Sequence, residues 1–125
     1  MHTIILASPR SDQWQAFADA LRVHTQANIV KVRSADEALD TARALNPLAV
    51  AIDAELGDLP GVELVRRLLG VNAMINTALA SGETEEIFHD ETEGLGILMK
   101  LSPLPTPTEA GRFAERLRQV TGNGF

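Results

Sequence analysis

Short apolar runs alternate with stretches whose apolar residues recur every three or four positions, and the alternation persists along the chain. Thr3-Ile4-Ile5-Leu6-Ala7 is a β-rich run closed by Ser8-Pro9, since proline has no N–H to give to a central strand. Between Asp12 and Val23, the residues Trp14, Phe17, Ala18 and Leu21 fall at i, i+3, i+4 and i+7, one face of a helix. Ser8 or Ser11 is available as its cap, and Pro9 suits a first turn. Asn28 to Val32 is a second β-like run. Ser34-Ala35-Asp36-Glu37 then has the spacing of a capping box, in which serine and glutamate each satisfy a backbone N–H of the first turn. Ala38, Leu39, Ala42 and Leu45 continue that helix, and Pro47 closes it.

Leu48-Ala49-Val50-Ala51-Ile52 is apolar without a break, the pattern of a strand covered on both faces, and it runs into Asp53. A loop from Gly57 to Gly61 follows, then Val62, Leu64, Val65 and Leu68 at helical spacing. Ala73 to Ala80 is a fourth, weaker run, interrupted by Asn76 and Thr77. Glu83 to Glu93 is a polar, acidic helix candidate, read as a solvated face, and Gly94 to Met99 is the fifth strand candidate. Thr106-Pro107-Thr108-Glu109 repeats the capping box with proline at the first helical position. It opens a last helix carrying Ala110, Phe113, Ala114, Leu117 and Val120. Strands alternating with helices require right-handed crossovers, so the expected fold is α/β: a five-stranded parallel sheet, doubly wound. Ligands of such sheets bind at the carboxyl ends of the strands, which directs attention to Ser8, Pro9, Arg10, Asp53, Ser81 and Lys100.

Composition narrows the functions. The 125 residues are expected to form one domain, with residues 122–125 as a loose tail. A formal net charge of −6 argues against a broad phosphate-binding surface, so no nucleic-acid partner is expected. The absence of cysteine removes disulfides, thiolate nucleophiles and cysteine-based zinc sites. The longest apolar run is far too short to cross a bilayer, and a cytoplasmic protein without membrane contact is expected. His89 lies alone among acids, and the Trp14/Phe17 stripe reads as core. The Ser8-Pro9-Arg10 turn lacks the Ser/Thr/Gly density of a flavodoxin-type phosphate loop, which leaves a small-molecule binder of that class as a minor alternative.

The segment from Pro47 to Leu64, PLAVAIDAELGDLPGVEL, resembles the phosphoacceptor segment of response-regulator receiver domains of two-component signalling. In that family an aspartate ends the third strand and a glycine eight residues later opens the next helix, here Asp53 and Gly61. Ser81 and Lys100 then stand at the positions implied for the hydroxyl and ammonium that pair with a phosphoryl group. The resemblance implies a signalling domain, not an enzyme, with Asp53 as phosphoacceptor and Ser81 and Lys100 as phosphate ligands. A histidine kinase or another signalling protein, or a second copy of the chain, is the implied partner.

The chain also departs from that pattern. The acidic pair that would hold magnesium after the first strand is replaced by Ser8, Pro9 and Arg10, whichever register is used. Only Asp53, the backbone of Glu55 and water would remain for Mg2+, a weak site. Ile97 stands at the expected aromatic position, and Leu101 rather than proline follows the lysine. The guanidinium of Arg10 is therefore a candidate partner for Asp53. A carboxylate so held is a poor phosphoacceptor, and the alternative to phosphorylation is a pseudo-receiver that docks proteins constitutively.

Overall fold

The computed structural model describes residues 1–122. The apolar runs become strands and the periodic stretches helices, in the order β1 (Thr3–Ala7), a 3-10 turn (Ser11–Trp14), α1 (Gln15–Thr25), β2 (Asn28–Val32), α2 (Ala35–Leu45), β3 (Ala49–Asp53), α3 (Gly61–Val71), β4 (Asn76–Ala80), α4 (Glu85–Thr92), β5 (Met99–Leu101) and α5 (Pro107–Thr121). All strand pairs are parallel, in the sheet order β2-β1-β3-β4-β5. The expected doubly wound α/β sheet is present.

Two cores follow from the alternation of side chains along each strand. Ile5, Val50, Ile52 and Leu79 meet Leu39, Leu64, Leu68 and Phe88 on the side of α2, α3 and α4. Ile4, Leu6, Ala51 and Leu101 meet Trp14, Phe17, Phe113 and Leu117 on the side of α1 and α5. Small alanines on this second face of β3 and β4 leave room for the aromatic rings, of which Trp14 and Phe17 pack edge to face at 5.8 Å. Each fully buried Leu, Ile or Phe contributes about 1.5–3 kcal/mol, so β1 and β3, buried almost throughout, anchor the sheet.

Both capping boxes form as the sequence predicts on the acceptor side: Ser34 and Thr106 hydroxyls accept from the N–H groups of Glu37 and Glu109. Three boundaries differ from the sequence reading. The fifth strand is Met99–Leu101, not Gly94 to Met99, because Gly94 and Gly96 adopt positive φ (81° and 65°), outside the strand region. The fourth strand starts at Asn76, since Asn72 turns the chain by accepting from the Ile75 N–H. The first helix has no side-chain cap and begins as a 3-10 turn, since Ser8 is engaged elsewhere and Ser11 accepts from Arg33. Of the expected tail, Gly122 caps α5 in the left-handed conformation, and residues 123–125 lie outside the described residues.

Candidate functional site

The strand register decides what surrounds Asp53. Ala7 pairs with Ile52, so the residue after β1, Ser8, emerges beside the residue that ends β3. The Ser8 hydroxyl donates to Asp53 Oδ2 at 2.8 Å. Arg10 donates to the same oxygen from Nε (3.2 Å) and from Nη2 (3.1 Å). Asp53 Oδ1 accepts from the Glu55 N–H at 3.0 Å. Ser8 Oγ in turn accepts from the Arg10 N–H at 3.0 Å, which fixes the turn that delivers the guanidinium. Arg10 Nη2 also donates to the carbonyl of Pro103 at 3.2 Å, so one side chain joins the loops after β1, β3 and β5.

The Asp53 side chain is 1% exposed and that of Arg10 is 34% exposed. A buried carboxylate is costly unless paired and hydrogen-bonded, and four donors meet that demand here. Gly61 closes the other side. A Cβ there would stand 2.7 Å from the Asp53 carbonyl oxygen and 2.8 Å from Ala54 Cα, so α3 can start this close to β3 only at a glycine. The opening above Asp53, a cleft of about 460 Å³, is lined by Arg10, Asp53, Gly61, Ser81 and Pro103 among others.

The structure brings Arg10, Asp53 and Ser81 to one cleft, with Ser8 buried against Asp53, but not Lys100. Ser81 is buried and its hydroxyl accepts from the Glu83 N–H at 3.1 Å, shaping the turn before α4, while Thr84 is the cap of that helix. Lys100 lies in mid-strand, paired with Leu79, and lines a separate cleft between α4 and α5. The expectation that it meets a phosphoryl group on Asp53 is corrected by the late start of β5, which moves it from a strand end to a strand centre. The backbone of the following loop, at Pro103, takes the place beside Asp53.

The residues present do not fit the weak Mg2+ site that the sequence left open. A hard cation requires several free oxygen ligands. Asp53 Oδ2 is already the acceptor of three donors, and the Glu55 N–H faces Oδ1. A guanidinium beside the carboxylate repels a second cation. No group of three or more His, Cys, Asp or Glu able to hold a metal occurs among the described residues.

Further ties around this end of the sheet gave no local sequence signal. Arg33 donates to Ser11 Oγ (3.1 Å) and to the Pro9 carbonyl (2.9 Å). Asp58, in the loop after β3, accepts from the N–H groups of Ala35 (3.1 Å to each oxygen) and Asp36 (3.3 Å), capping α2 from a distance. The Ala35 N–H is the main cause holding its carboxyl below the usual range, against a smaller opposing effect of burial. At Glu109 burial pushes the carboxyl up, but hydrogen bonds from Ser102 and Thr106 outweigh it and leave it below its ordinary value.

No family model and no curated relative matches the chain. Solved structures do. A CheY-like response regulator receiver domain protein from Methanospirillum hungatei superposes with a TM-score of 0.84 at 14% identity, covering 99% of both chains. A chemotaxis response regulator of Vibrio cholerae gives 0.80 at 16% identity, covering 94% of this chain and 98% of that one. The signal receiver domain of an HD domain-containing protein from Pseudomonas fluorescens gives 0.77 at 20% identity, covering 98% and 93%. At these identities the likeness concerns the fold: the chain has the architecture of a receiver domain over nearly its whole length.

Proposed function

We propose that the chain is a signalling domain of receiver architecture that docks a protein partner without being phosphorylated. The observation that carries this reading is the Arg10–Asp53 pair: a tethered cation occupies the carboxylate that receiver chemistry would leave open to a metal and a phosphoryl donor. Phosphoryl transfer to a carboxylate requires both a free oxygen nucleophile and mobile positive charge at the incoming group. Arg10 removes the first and fixes the second. Its bond to Pro103 also ties the β5–α5 loop to Asp53, so the loop has one arrangement rather than two. The partner is a signalling protein, and the setting is cytoplasmic, in keeping with the absence of any helix long and apolar enough to cross a membrane among the described residues.

The phosphoacceptor reading, with a histidine kinase as donor, draws on Asp53 and Ser81 sharing one cleft. One experiment separates the two. Intact mass is recorded after incubation with magnesium and acetyl phosphate for the natural chain, for Asp53→Asn and for the double variant Ser8→Asp/Arg10→Asp. The docking reading expects no gain in the natural chain. It expects one phosphoryl mass in the double variant, where acids replace the tethered cation and the serine. A phosphoryl mass on the natural chain, absent from Asp53→Asn, would overturn it.

A further inference from the structure

The end of the sheet opposite Asp53 carries a face that the candidate site and its loops do not use. A groove of about 450 Å³ opens there, at the first residues of β1 and β4 and the last turns of α2 and α5. Its walls hold Met1, Leu45, Met74 and Val120, four of the seven large apolar side chains exposed among the described residues. Single exposed apolar residues are ordinary, but four from separate segments gathered in one concave place mark an interface. None of the twelve described residues that line the groove is Asp, Glu, Lys or Arg. The cleft above Asp53 has five such residues among its described lining, and the cleft between α4 and α5 has six.

Side-chain amides, not charges, give the groove its shape. Asn46 ends α2 in the left-handed conformation, with φ of 47°, and its Oδ1 accepts from Asn72 Nδ2 at 2.8 Å. Asn72 Oδ1 accepts from the Met74 N–H at 2.9 Å, and Asn76 Nδ2 donates to the Leu48 carbonyl at 3.1 Å. The α2–β3 and α3–β4 turns are thereby joined. Met74 stands out from the second turn, 82% exposed, on a backbone that is already fixed. An anchor presented in this way loses little freedom when a partner covers it. The unbranched thioether also adapts to an irregular hollow.

Charge decides what can cover this face. The chain carries a formal −6, and no lysine or arginine among the groove's described residues meets a phosphate, so nucleic acid and anionic lipid are disfavoured. A charged peptide finds no opposite charge to pair with. Two copies of a −6 chain repel each other, and that repulsion is least where the touching surfaces carry no charge. A second copy also brings both halves of the fit, the projecting Met74 and the groove that receives it. In a two-fold contact each patch meets itself, so both halves are used twice. We propose that a second copy of this chain covers the groove, in an isologous dimer that leaves the Asp53 end of each protomer open. Twelve lining residues are about half of the roughly 20–30 that a standard interface uses on each side, so the dimer is weak and forms with concentration. This goes beyond the docking reading and does not depend on the state of Asp53.

Sedimentation velocity of the natural chain across a concentration series tests this. The mass rises from the 13.5 kDa of the monomer toward twice that value, with the midpoint on the order of 50 µM, in the range of a small interface. Met74→Glu raises the midpoint at least tenfold, whereas Met74→Leu keeps it within about threefold, because a volume-conserving apolar exchange is tolerated. Arg112→Glu, in the cleft between α4 and α5, leaves the midpoint unchanged. A second measurement does not rely on disrupting the contact. The chain has no cysteine, so a benzophenone attached to Met74→Cys marks one place. Irradiated with an excess of isotope-labelled natural chain, it cross-links to the labelled peptides that contain Leu45 or Val120. A monomer at every concentration, a dimer that Met74→Glu leaves intact or Arg112→Glu dissolves, or cross-links confined to other segments overturns the assignment. So does binding of the monomer to neutral phosphatidylcholine vesicles that Met74→Glu abolishes, since lipid would then be the occupant.

Discussion

The two sides of the sheet are built to different standards. At β1 and β3 the strands are buried almost end to end; Arg10 ties the loops that leave them to one another, and Arg33 and Asp58 tie those loops to the β2–α2 segment. At the α4–β5 side the strand has three residues, of which only Leu101 is buried, and α4 buries only Phe88 and Thr92. The first region has the features of a fixed scaffold, the second those of a surface open to a partner. In a switching domain the site carboxylate must communicate with the mobile side through a change of arrangement. Here the carboxylate is held by its own chain through Arg10, which also fixes the β5–α5 loop at Pro103.

The comparison is broken most severely at Gly61. An alanine Cβ would meet backbone atoms of Asp53 and Ala54 at 2.7 and 2.8 Å, and backbone cannot step aside as a flexible side chain does. Gly61→Ala is expected to cost about 3 kcal/mol, the upper range for overpacking. Urea unfolding followed by Trp14 fluorescence measures it. A loss below about 0.5 kcal/mol would mean that α3 can slide away from β3, and that the scaffold is softer than its packing indicates.

The next effect belongs to the Arg10–Asp53 pair. Arg10→Leu leaves a buried carboxylate with the hydroxyl of Ser8 and one N–H, and removing one partner of a fully buried pair costs about 3–5 kcal/mol. Arg10 is 34% exposed, so solvent screens part of this, and about 2 kcal/mol is expected. Arg10→Leu/Asp53→Asn is expected to recover about half of the loss, because no buried charge remains unpaired. Denaturant unfolding of the two variants and Asp53→Asn completes a double-mutant cycle. A coupling near zero would show that Arg10 is a solvated side chain and would remove the basis for a metal-independent site.

This pair also marks how far the sequence could be read. Strand and helix identity, both capping boxes and the place of Asp53 follow from local patterns, since period, cap spacing and proline position are written in neighbouring residues. Arg10 was visible as an unusual cation where acids were expected, and the register of β1 against β3 made it a partner. Lys100 was misread because two glycines with positive φ delay the start of β5, and a glycine's φ is not legible from composition. Pro103 and Asp58 act through contacts 93 and 23 residues away in the chain, which no local pattern reports.

Hydrogen exchange sharpens the contrast without altering a residue. Amides of β3 should exchange only through global unfolding, because both faces of the strand are covered by helices. Amides of α4 should exchange through local opening, with protection lower by at least a hundredfold, since Phe88 and Thr92 alone anchor that helix in the core. Equal protection of the two would mean that the molecule opens only as a unit, and the α4–β5 side would then have no independent freedom with which to receive a partner.

The smallest expected effect is acid dependence at the two carboxylates held below their ordinary values. Both Asp58 and Glu109 bind protons less readily when folded than when unfolded. The unfolded chain therefore takes up more protons as pH falls, and the stability these groups contribute is full above the ordinary carboxylate range and lost on descending through their folded values. Asp58→Asn and Glu109→Gln should each be less stable than the natural chain at pH 7 and should converge on it toward pH 3. Glu109 should show the larger gap, because it is partly buried and accepts from Ser102 and Thr106 together, whereas Asp58 is exposed. The two lie on different sides of the molecule: Asp58 ties the loop after β3 to α2, and Glu109 ties the loop after β5 to α5. Thermal unfolding between pH 3 and 7 therefore compares the two regions directly. A gap that stays constant with pH in Glu109→Gln would mean that this carboxylate acts by shape rather than by charge, and that the β5–α5 loop, like Pro103 within it, is held chiefly from the Arg10 side.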